Sequence, residues 1–209
     1  MAKITQLSQL DLDASYSYAD YLTWQLDKAV ELIKGKVMLM SPAPNVKHQN
    51  IVTNLGGPLY QFFNKKPCKL FYAPFDVRLL DQQKTHKADK EIHTVVQPDL
   101  CVICDPEKLT EQGCLGAPDW IIEILSKGNS KKEMQIKYDL YQENGVTEYW
   151  LVYPYEQAVH QFVLDKETHK YQLISMLSEE DIATSHVFPD LKIDLQDVFA
   201  EWAYLIFLA

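Results

Sequence analysis

The sequence lacks the features that mark membrane-bound, secreted or low-complexity proteins. No apolar run is long enough to span a bilayer, the N-terminal region has no signal pattern, and no linker, repeat or biased stretch interrupts the 209 residues. Hydrophobic residues make up 47% and charged residues 23% of the chain, which is typical of a globular protein with a sizeable core. We therefore expect a single globular domain that has no contact with a membrane.

Cysteine is scarce and irregularly spaced. The four cysteines show no framework spacing, so we expect a reducing compartment and a cytoplasmic location. Cys101 and Cys104 have the spacing of half a zinc site, but on a strand their thiols would point to opposite faces. Two ordinary buried cysteines are the favoured interpretation.

Positive charge is also in deficit, because the formal net charge is -9 at pH 7. This argues against a nucleic-acid binder driven by overall charge, although a local basic rim can still contact phosphates. The candidate rims are Lys65–Lys69, Lys84–Lys90 with His86, and Lys127 with Lys131 and Lys132. For each of them the alternative is an ordinary solvated surface.

Two short apolar runs each carry an acidic residue. Val95–Ile103 contains Asp99 and Ala117–Ser126 contains Glu123, and both runs have the composition of strands covered on both faces. Ionised carboxylates in such strands are costly unless they are paired or bind a metal. If the strands are neighbours, the two acids can lie about 5 Å apart and form an oxygen-rich site suited to Mg²⁺ or Mn²⁺.

The segment Ser130–Gly145 predicts a helix with a lysine in an unusual place. At about 100° per residue, Lys137 falls in the middle of the apolar arc, where a lysine needs an anionic partner or a cavity. We interpret it as the cation that this helix brings to Asp99 and Glu123. The alternatives are a lysine that reaches the surface and a lysine paired only with Glu133, which a capping box with Ser130 also explains.

Glu31 and His48 are further candidates for the site. Glu31 lies in a hairpin predicted over Ala29–Ile33 and Lys36–Met40, either as another carboxylate of the site or as an exposed acid on the wet face. His48 lies near the apolar face of a helix predicted over Val46–Phe63. It is either a hydrogen-bonded filler or a group that titrates near neutral pH and has a functional role.

Two other acids are better explained by structure than by chemistry. Asp76 lies in a strand predicted over Phe71–Leu80, and pairing with Arg78 is slightly favoured over a place in the site. Asp119 repeats the Pro-Asp dipeptide, but a strand would hold it about 13 Å from Glu123, so we interpret it as a turn acid.

Together these residues resemble the PD-(D/E)xK nuclease superfamily, and in particular its Uma-type putative restriction endonucleases. The resemblance covers roughly residues 16–154. One departure is Leu125, which stands where the superfamily has a lysine two residues after the glutamate; in the Uma-type branch that lysine is on the helix, as Lys137 is here. Another is Lys127, where the family often has proline. The motifs that carry the resemblance are Glu31–Gly35, Ser41–Pro44, His48, Pro98-Asp99, Glu123–Ser126, Lys137–Tyr141 and Gly145–Val152.

The resemblance implies a mixed α/β sheet of the restriction-endonuclease type with an αβββαβ core. The core would cover about residues 44–154, after an N-terminal helix and hairpin over 16–43 and before antiparallel strands over 155–209. We also expect a short helix around Glu107–Gln112 and another from Leu195 to about Phe207. The edge strands or the tail are the surfaces that could form a homodimer.

The implied activity is Mg²⁺-dependent hydrolysis of DNA by an endonuclease. Asp99, Glu123 and the carbonyl of Ile124 would hold the ion, Lys137 would stabilise charge or steer the water, and Glu31 or His48 would hold a second ion or relay a proton. The alternatives are a catalytically inactive nuclease fold that binds DNA or protein, and a metal-dependent hydrolase with another substrate. The acidic net charge and the displaced lysine favour the inactive form to some degree.

Overall fold

The computed structural model describes residues 3–40, 45–80, 88–127 and 130–201. The motif Ser41–Pro44 and most of the basic segment Lys84–Lys90 lie outside these ranges. The helices are α1 (Tyr18–Tyr21), α2 (Val46–Phe63), α3 (Lys131–Asn144) and α4 (Leu195–Phe199). The strands are β1 (Val30–Ile33), β2 (Lys36–Leu39), β3 (Lys69–Tyr72), β4 (Val77–Leu79), β5 (Thr94–Val96), β6 (Leu100–Ile103), β7 (Leu109–Thr110), β8 (Gly113–Leu115), β9 (Trp120–Ile124), β10 (Glu148–Tyr153), β11 (Ala158–Leu164), β12 (Tyr171–Ser178), β13 (Ile182–Thr184) and β14 (Lys192–Asp194).

The strands form two six-stranded sheets and one separate hairpin. The first sheet has the order β2-β1-β5-β4-β8-β7 and the second has the order β12-β11-β10-β9-β6-β3. Among the described residues, β13 pairs with β14 alone. Most pairs are antiparallel, but β9 and β10 are parallel because α3 connects them as a crossover helix. The expected mixed α/β fold is thereby confirmed.

The second sheet is covered by α2 on one face and by α3 on the other. Ile51, Leu55 and Leu59 of α2 pack in one core cluster with Trp120 and Ile122 of β9. Leu140 and Tyr141 of α3 pack in another cluster with Ile121 and with residues of the first sheet. Alternate residues of β9 thus point to opposite covered faces, which explains its continuous apolar sequence.

Local sequence signals gave the two long helices correctly. The bounds of α2 are those expected. The Ser130–Glu133 capping box starts α3, and Gly145, which has φ of 82°, caps its C-terminal end. The hairpin β1–β2 is also confirmed. Lys34 and Gly35 have φ of 51° and 80° in its turn, and a Cβ on Gly35 would lie 2.2 Å from Ser15 Oγ.

Two runs expected to be single strands are each divided between the two sheets. Phe71–Leu80 is split because β3 ends at Tyr72 and β4 begins at Val77, and Val95–Ile103 is split between β5 and β6. Pro74 and Pro98 lie in the breaks, where a residue without an N–H cannot take part in a strand ladder. The chain therefore changes sheet at Gln97–Asp99, which places Asp99 beside the junction of the two sheets.

Two other expectations about secondary structure need correction. The segment Glu107–Gln112 is not a helix beyond the short 3₁₀ turn Pro106–Lys108, because Leu109–Leu115 forms the hairpin β7–β8. The tail extends the second sheet through β11 and β12, but β13 and β14 form a hairpin that the sequence analysis missed. The helix α4 ends at Phe199, and residues 202–209 lie outside the described ranges.

The homodimer remains a prediction, for which the edge strands β2, β7, β3 and β12 are the available surfaces. Within the described residues, no helix has both the length and the apolar composition needed to cross a membrane.

The interpretation of Cys104 as an ordinary free cysteine is wrong. Cys104 forms a disulfide with Cys68, whereas Cys101 and Cys114 are free and buried. The cause is the strand register, because β3 and β6 pair with Lys69 opposite Ile103, and the next pair outward is Cys68 and Cys104. The argument for a reducing compartment, which rested on the absence of disulfide-framework spacing, therefore no longer applies.

We predict that thiol titration of the unfolded protein without a reductant will detect two of the four cysteines. After reduction all four should react, and the free energy of unfolding should fall by about 2–4 kcal/mol, because the disulfide closes a loop of 36 residues. Denaturation in urea with and without dithiothreitol measures this change. The Cys68→Ser variant should match the reduced protein, and equal stability of the oxidised and reduced forms would contradict the prediction.

Glu148 fixes the C-terminal hairpin to the second sheet. Its side chain is fully buried, and its two oxygens accept hydrogen bonds from Trp150 Nε1, Ser185 Oγ and the backbone N–H groups of His186 and Val187 at 2.6–3.0 Å. Four donors therefore depend on one carboxylate.

We predict that Glu148→Ala will lower the free energy of unfolding by at least about 3 kcal/mol, because it leaves several buried donors without an acceptor. Glu180→Ala is the matched control, since Glu180 is exposed, and it should change stability by less than about 0.5 kcal/mol. Urea denaturation followed by circular dichroism provides the measurement. Similar stability of the two variants would contradict the role of Glu148.

Candidate active site

The register of β6 and β9 places the two predicted metal-binding acids side by side. The strands are antiparallel with Leu100 opposite Ile122, so the same register puts Asp99 opposite Glu123. Asp99 Oδ2 accepts a hydrogen bond from the backbone N–H of Ile124 at 2.7 Å, which fixes the Asp99 side chain against the end of β9.

Lys137 points from α3 into the junction between the two sheets. Its Nζ donates hydrogen bonds to Glu123 Oε1 at 2.8 Å and to Glu31 Oε1 at 3.0 Å. Neither alternative for this lysine holds, because its ammonium is directed at these carboxylates, and Glu133 belongs to the capping box with Ser130. The side chain remains 22% exposed, so the ammonium group is near solvent.

Glu31 belongs to the same cluster and is not an acid on the wet face of the hairpin. It is only 5% exposed, and its Oε1 also accepts a hydrogen bond from the backbone N–H of Gln97 at 2.9 Å. Because Glu31 lies on β1 and Glu123 on β9, their shared contact with Lys137 connects the first sheet to the second.

Asp76 does not form the expected ion pair with Arg78. It binds Gln97, a neighbour of the cluster. Its Oδ1 accepts a hydrogen bond from Gln97 Nε2 at 2.8 Å and its Oδ2 accepts one from Tyr18 OH at 3.1 Å. Arg78 instead contacts Thr110, the carbonyl of Cys114 and Asp89. Asp76 therefore holds the side chain of Gln97, whose backbone N–H binds Glu31. Asp119 is the turn acid that was expected, because its Oδ2 accepts a hydrogen bond from the backbone N–H of Cys104.

Tyr141 is a further member of the site, and the sequence analysis gave it no role there. Its hydroxyl donates a hydrogen bond to Glu123 Oε1 at 2.5 Å. The spacing of four residues from Lys137 was the available signal, since residues i and i+4 share one face of a helix. Burial and the neighbouring charges of Glu123 and Glu31 raise the pKa of Tyr141 well above its ordinary value, so it remains a neutral donor.

His48 lies on the other side of Asp99. Its Nε2 is 3.3 Å from Asp99 Oδ2, and its buried Nδ1 has no hydrogen-bond partner among the described residues. Burial acts to lower the pKa of His48, but the contacts with Asp99 and with the backbone of Ile124 and the charge of Glu123 outweigh it, so the net shift is upward. The ring is therefore bonded to one of the candidate catalytic acids, and a functional role for His48 stays a prediction.

Opposing effects set the pKa of Glu123. Burial, together with the charges of Asp99 and Glu31, raises the pKa of Glu123 to about 7 against the opposing effect of Lys137. Burial also acts to lower the pKa of Lys137, but the two carboxylates hold it above its ordinary value. Lys137 therefore remains an ammonium ion, and Glu123 is the member of the pair that titrates near neutral pH.

The donor chemistry fits a hard divalent ion. The hydrogen bonds described above use one oxygen of each acid, Oδ2 in Asp99 and Oε1 in Glu123. Among the described residues, no hydrogen bond uses Asp99 Oδ1 or Glu123 Oε2, so an oxygen of each acid is left over for an ion. In the described ranges, no group of three or more His, Cys, Asp or Glu side chains is placed to hold a metal. Two carboxylates suffice for Mg²⁺, which usually keeps several of its waters.

The fold is that of a protein solved previously and described as a putative nuclease belonging to DUF820 from Anabaena variabilis ATCC 29413. The two structures have a TM-score of 0.67 and 21% sequence identity, over 88% of this chain and 97% of that chain. The family model described as "Uma2: Putative restriction endonuclease" matches residues 18–196. The chain belongs to this family. No curated protein matches the chain.

We predict that Lys137→Met destabilises the metal-free protein in a pH-dependent way. Loss of the ammonium removes the effect that lowers the pKa of Glu123, so ionised Glu123 is disfavoured still further in the folded state. Because Glu123 ionises near pH 4.5 in the unfolded chain and near pH 7 in the folded unaltered protein, its contribution to the deficit should be close to zero at pH 4.5 and should grow by about 1.4 kcal/mol between pH 4.5 and pH 8.

Urea denaturation in EDTA at the two pH values measures this effect. The exposed Lys132→Met variant of the same helix is the control and should show little change at either pH. The double variant Lys137→Met/Glu123→Gln should regain part of the lost stability at pH 8. A deficit that is the same at both pH values would contradict the ion-pair interpretation.

Proposed function

We propose that this protein is a metal-dependent endodeoxyribonuclease that hydrolyses phosphodiester bonds. The observation that carries the proposal is the half-buried ammonium of Lys137, which binds Glu31 and Glu123, with the acid Asp99 opposite Glu123. Membership of the Uma2 family and the nuclease fold of the solved relative support it. An ion pair that only stabilised the fold would not require a third carboxylate with a histidine beside it.

Asp99, Glu123 and the carbonyl of Ile124 are the proposed ligands of Mg²⁺ or Mn²⁺. A bound ion would neutralise charge on the phosphoryl oxygens and lower the pKa of a water. Lys137 has three N–H donors, of which two are used by Glu31 and Glu123. The third has no partner among the described residues, so it can contact a phosphoryl oxygen.

The surrounding residues hold this arrangement in place. Tyr141 and Lys137 fix Glu123, while Glu31 and the backbone of Gln97 fix the direction of the ammonium group. His48 is proposed as a proton relay, because one ring nitrogen contacts Asp99 and the other has no partner among the described residues.

We predict that Asp99→Asn and Glu123→Gln will each reduce the nicking of supercoiled plasmid in Mg²⁺ by about 10²-fold or more. Both substitutions keep an acceptor for the hydrogen bonds that shape the site and remove only the charge. Asp119→Asn is the matched control, because Asp119 also follows a proline but binds the backbone of Cys104. It should cleave at the unaltered rate.

Calorimetric titration with Mg²⁺ and Mn²⁺ separates the competing functions. Metal binding together with nicking supports the nuclease, and metal binding without nicking of any DNA supports a hydrolase with another substrate. Absence of both would support an inactive nuclease fold that binds DNA or protein. Equal nicking by all three variants would refute the assigned site.

A further inference from the structure

A cluster of one tyrosine and two lysines lies beside the candidate active site. Tyr155 is 43% exposed, and the Nζ atoms of Lys47 and Lys127 lie 5.3 Å and 4.7 Å from the centre of its ring. The hydroxyl of Tyr155 accepts a hydrogen bond from Asn45 Nδ2 at 3.1 Å. We name these three residues, Tyr155, Lys47 and Lys127, the lysine–tyrosine platform.

Two separate connections place the platform next to the acids. Asn45 caps α2 by accepting a hydrogen bond from the backbone N–H of His48, the residue whose ring contacts Asp99. Lys127 follows Ile124 by three residues, and the N–H of Ile124 is bound by Asp99. The platform is thus linked to the acids through the start of α2 and through the segment that leaves β9.

The platform supplies what the active site does not. The ammonium of Lys137 is already shared between two carboxylates, and the chain as a whole has a net charge of -9, so an approaching phosphate chain needs other cations. Lys127 is exposed, and Lys47 is held by Glu201, which is itself an exposed partner. Both lysines can therefore turn toward a phosphate without breaking a buried contact.

We propose that the lysine–tyrosine platform binds an unpaired nucleotide of a DNA strand next to the scissile bond. The base stacks on the ring of Tyr155 in place of Lys127, and the two lysines contact the adjacent phosphates. Stacking of a base on an aromatic ring is stronger than an exposed contact between lysine and tyrosine, so this exchange is favourable. A paired base in a duplex cannot offer its face to the ring. This inference rests on the proposed nuclease function and assigns it a single-stranded or frayed substrate.

The test is binding of a fluorescent 12-nucleotide DNA strand, measured by anisotropy in EDTA so that the probe is not cleaved. The unaltered protein should bind the strand more tightly than a blunt duplex of the same sequence. Tyr155→Leu should weaken binding of the strand by about 10-fold, whereas Tyr155→Phe should remain within about twofold because it keeps the ring. Tyr60→Leu is the matched control, since Tyr60 is 59% exposed, and it should have no effect.

The salt dependence tests the two lysines separately. Lys47→Met and Lys127→Met should each reduce the slope of log affinity against log salt by about 0.7, as expected for one lost phosphate contact on a single strand. Lys66→Met is the matched control, because Lys66 also lies over an aromatic ring, that of Phe62, but just beyond the other end of the 18-residue helix α2. It should leave the slope unchanged.

The results distinguish failure of the platform from failure of the nuclease. Strand binding that is unaffected by Tyr155→Leu, or a duplex bound as tightly as the strand, would overturn the platform even if the plasmid is nicked. Tighter binding of an RNA strand of the same sequence would overturn the assignment to DNA. Loss of strand binding in Tyr155→Leu supports the platform even if Asp99→Asn nicks plasmid at the unaltered rate. That second result would show only that the assigned acids are not catalytic. Thermal denaturation of every variant confirms that the comparison is made between folded proteins.

Discussion

The structure depends on one ammonium group shared by two buried carboxylates from different sheets. Lys137 joins Glu31 of the first sheet to Glu123 of the second, and each of these contacts replaces hydration that was lost on burial. Such an arrangement gives little net stability, but removing one partner leaves uncompensated charge in the core. The relative position of the two sheets and the presence of acidic groups at their junction are therefore consequences of the same interaction.

That interaction also explains why the junction is suited to chemistry. The cluster holds more acidic than basic groups, so burial and repulsion between the carboxylates raise the pKa of Glu123 to about 7. Hydrogen bonds from Tyr141 and Lys137 fix the orientation of its side chain. His48 and the backbone of Ile124 hold Asp99 on the opposite side. Perturbed titration combined with fixed orientation is the usual condition of functional sites, although structural ion pairs share it.

The acidic net charge and a nucleic-acid substrate are compatible because binding depends on local charge. In the described part of the chain, Lys47 and Lys127 lie around one exposed aromatic ring beside the acids, and the exposed residues Lys131 and Lys132 begin the helix that carries Lys137. Repulsion from the rest of the surface would make binding sensitive to salt and would favour a short contact over an extended one. This agrees with the proposed binding of a single unpaired nucleotide.

The sequence alone determined the features that depend on short-range spacing. Capping residues and apolar periodicity defined α2 and α3 and put Lys137 on the buried face, because these signals act within a few turns of one helix. The tertiary structure decided everything that depends on strand register and sheet assignment. It divided Phe71–Leu80 and Val95–Ile103 between two sheets, paired Cys68 with Cys104, and brought Glu31 to Lys137 from 106 positions away in the chain. No local pattern predicts which distant strand will pair with a given strand, because strand pairing depends on the packing of the whole core.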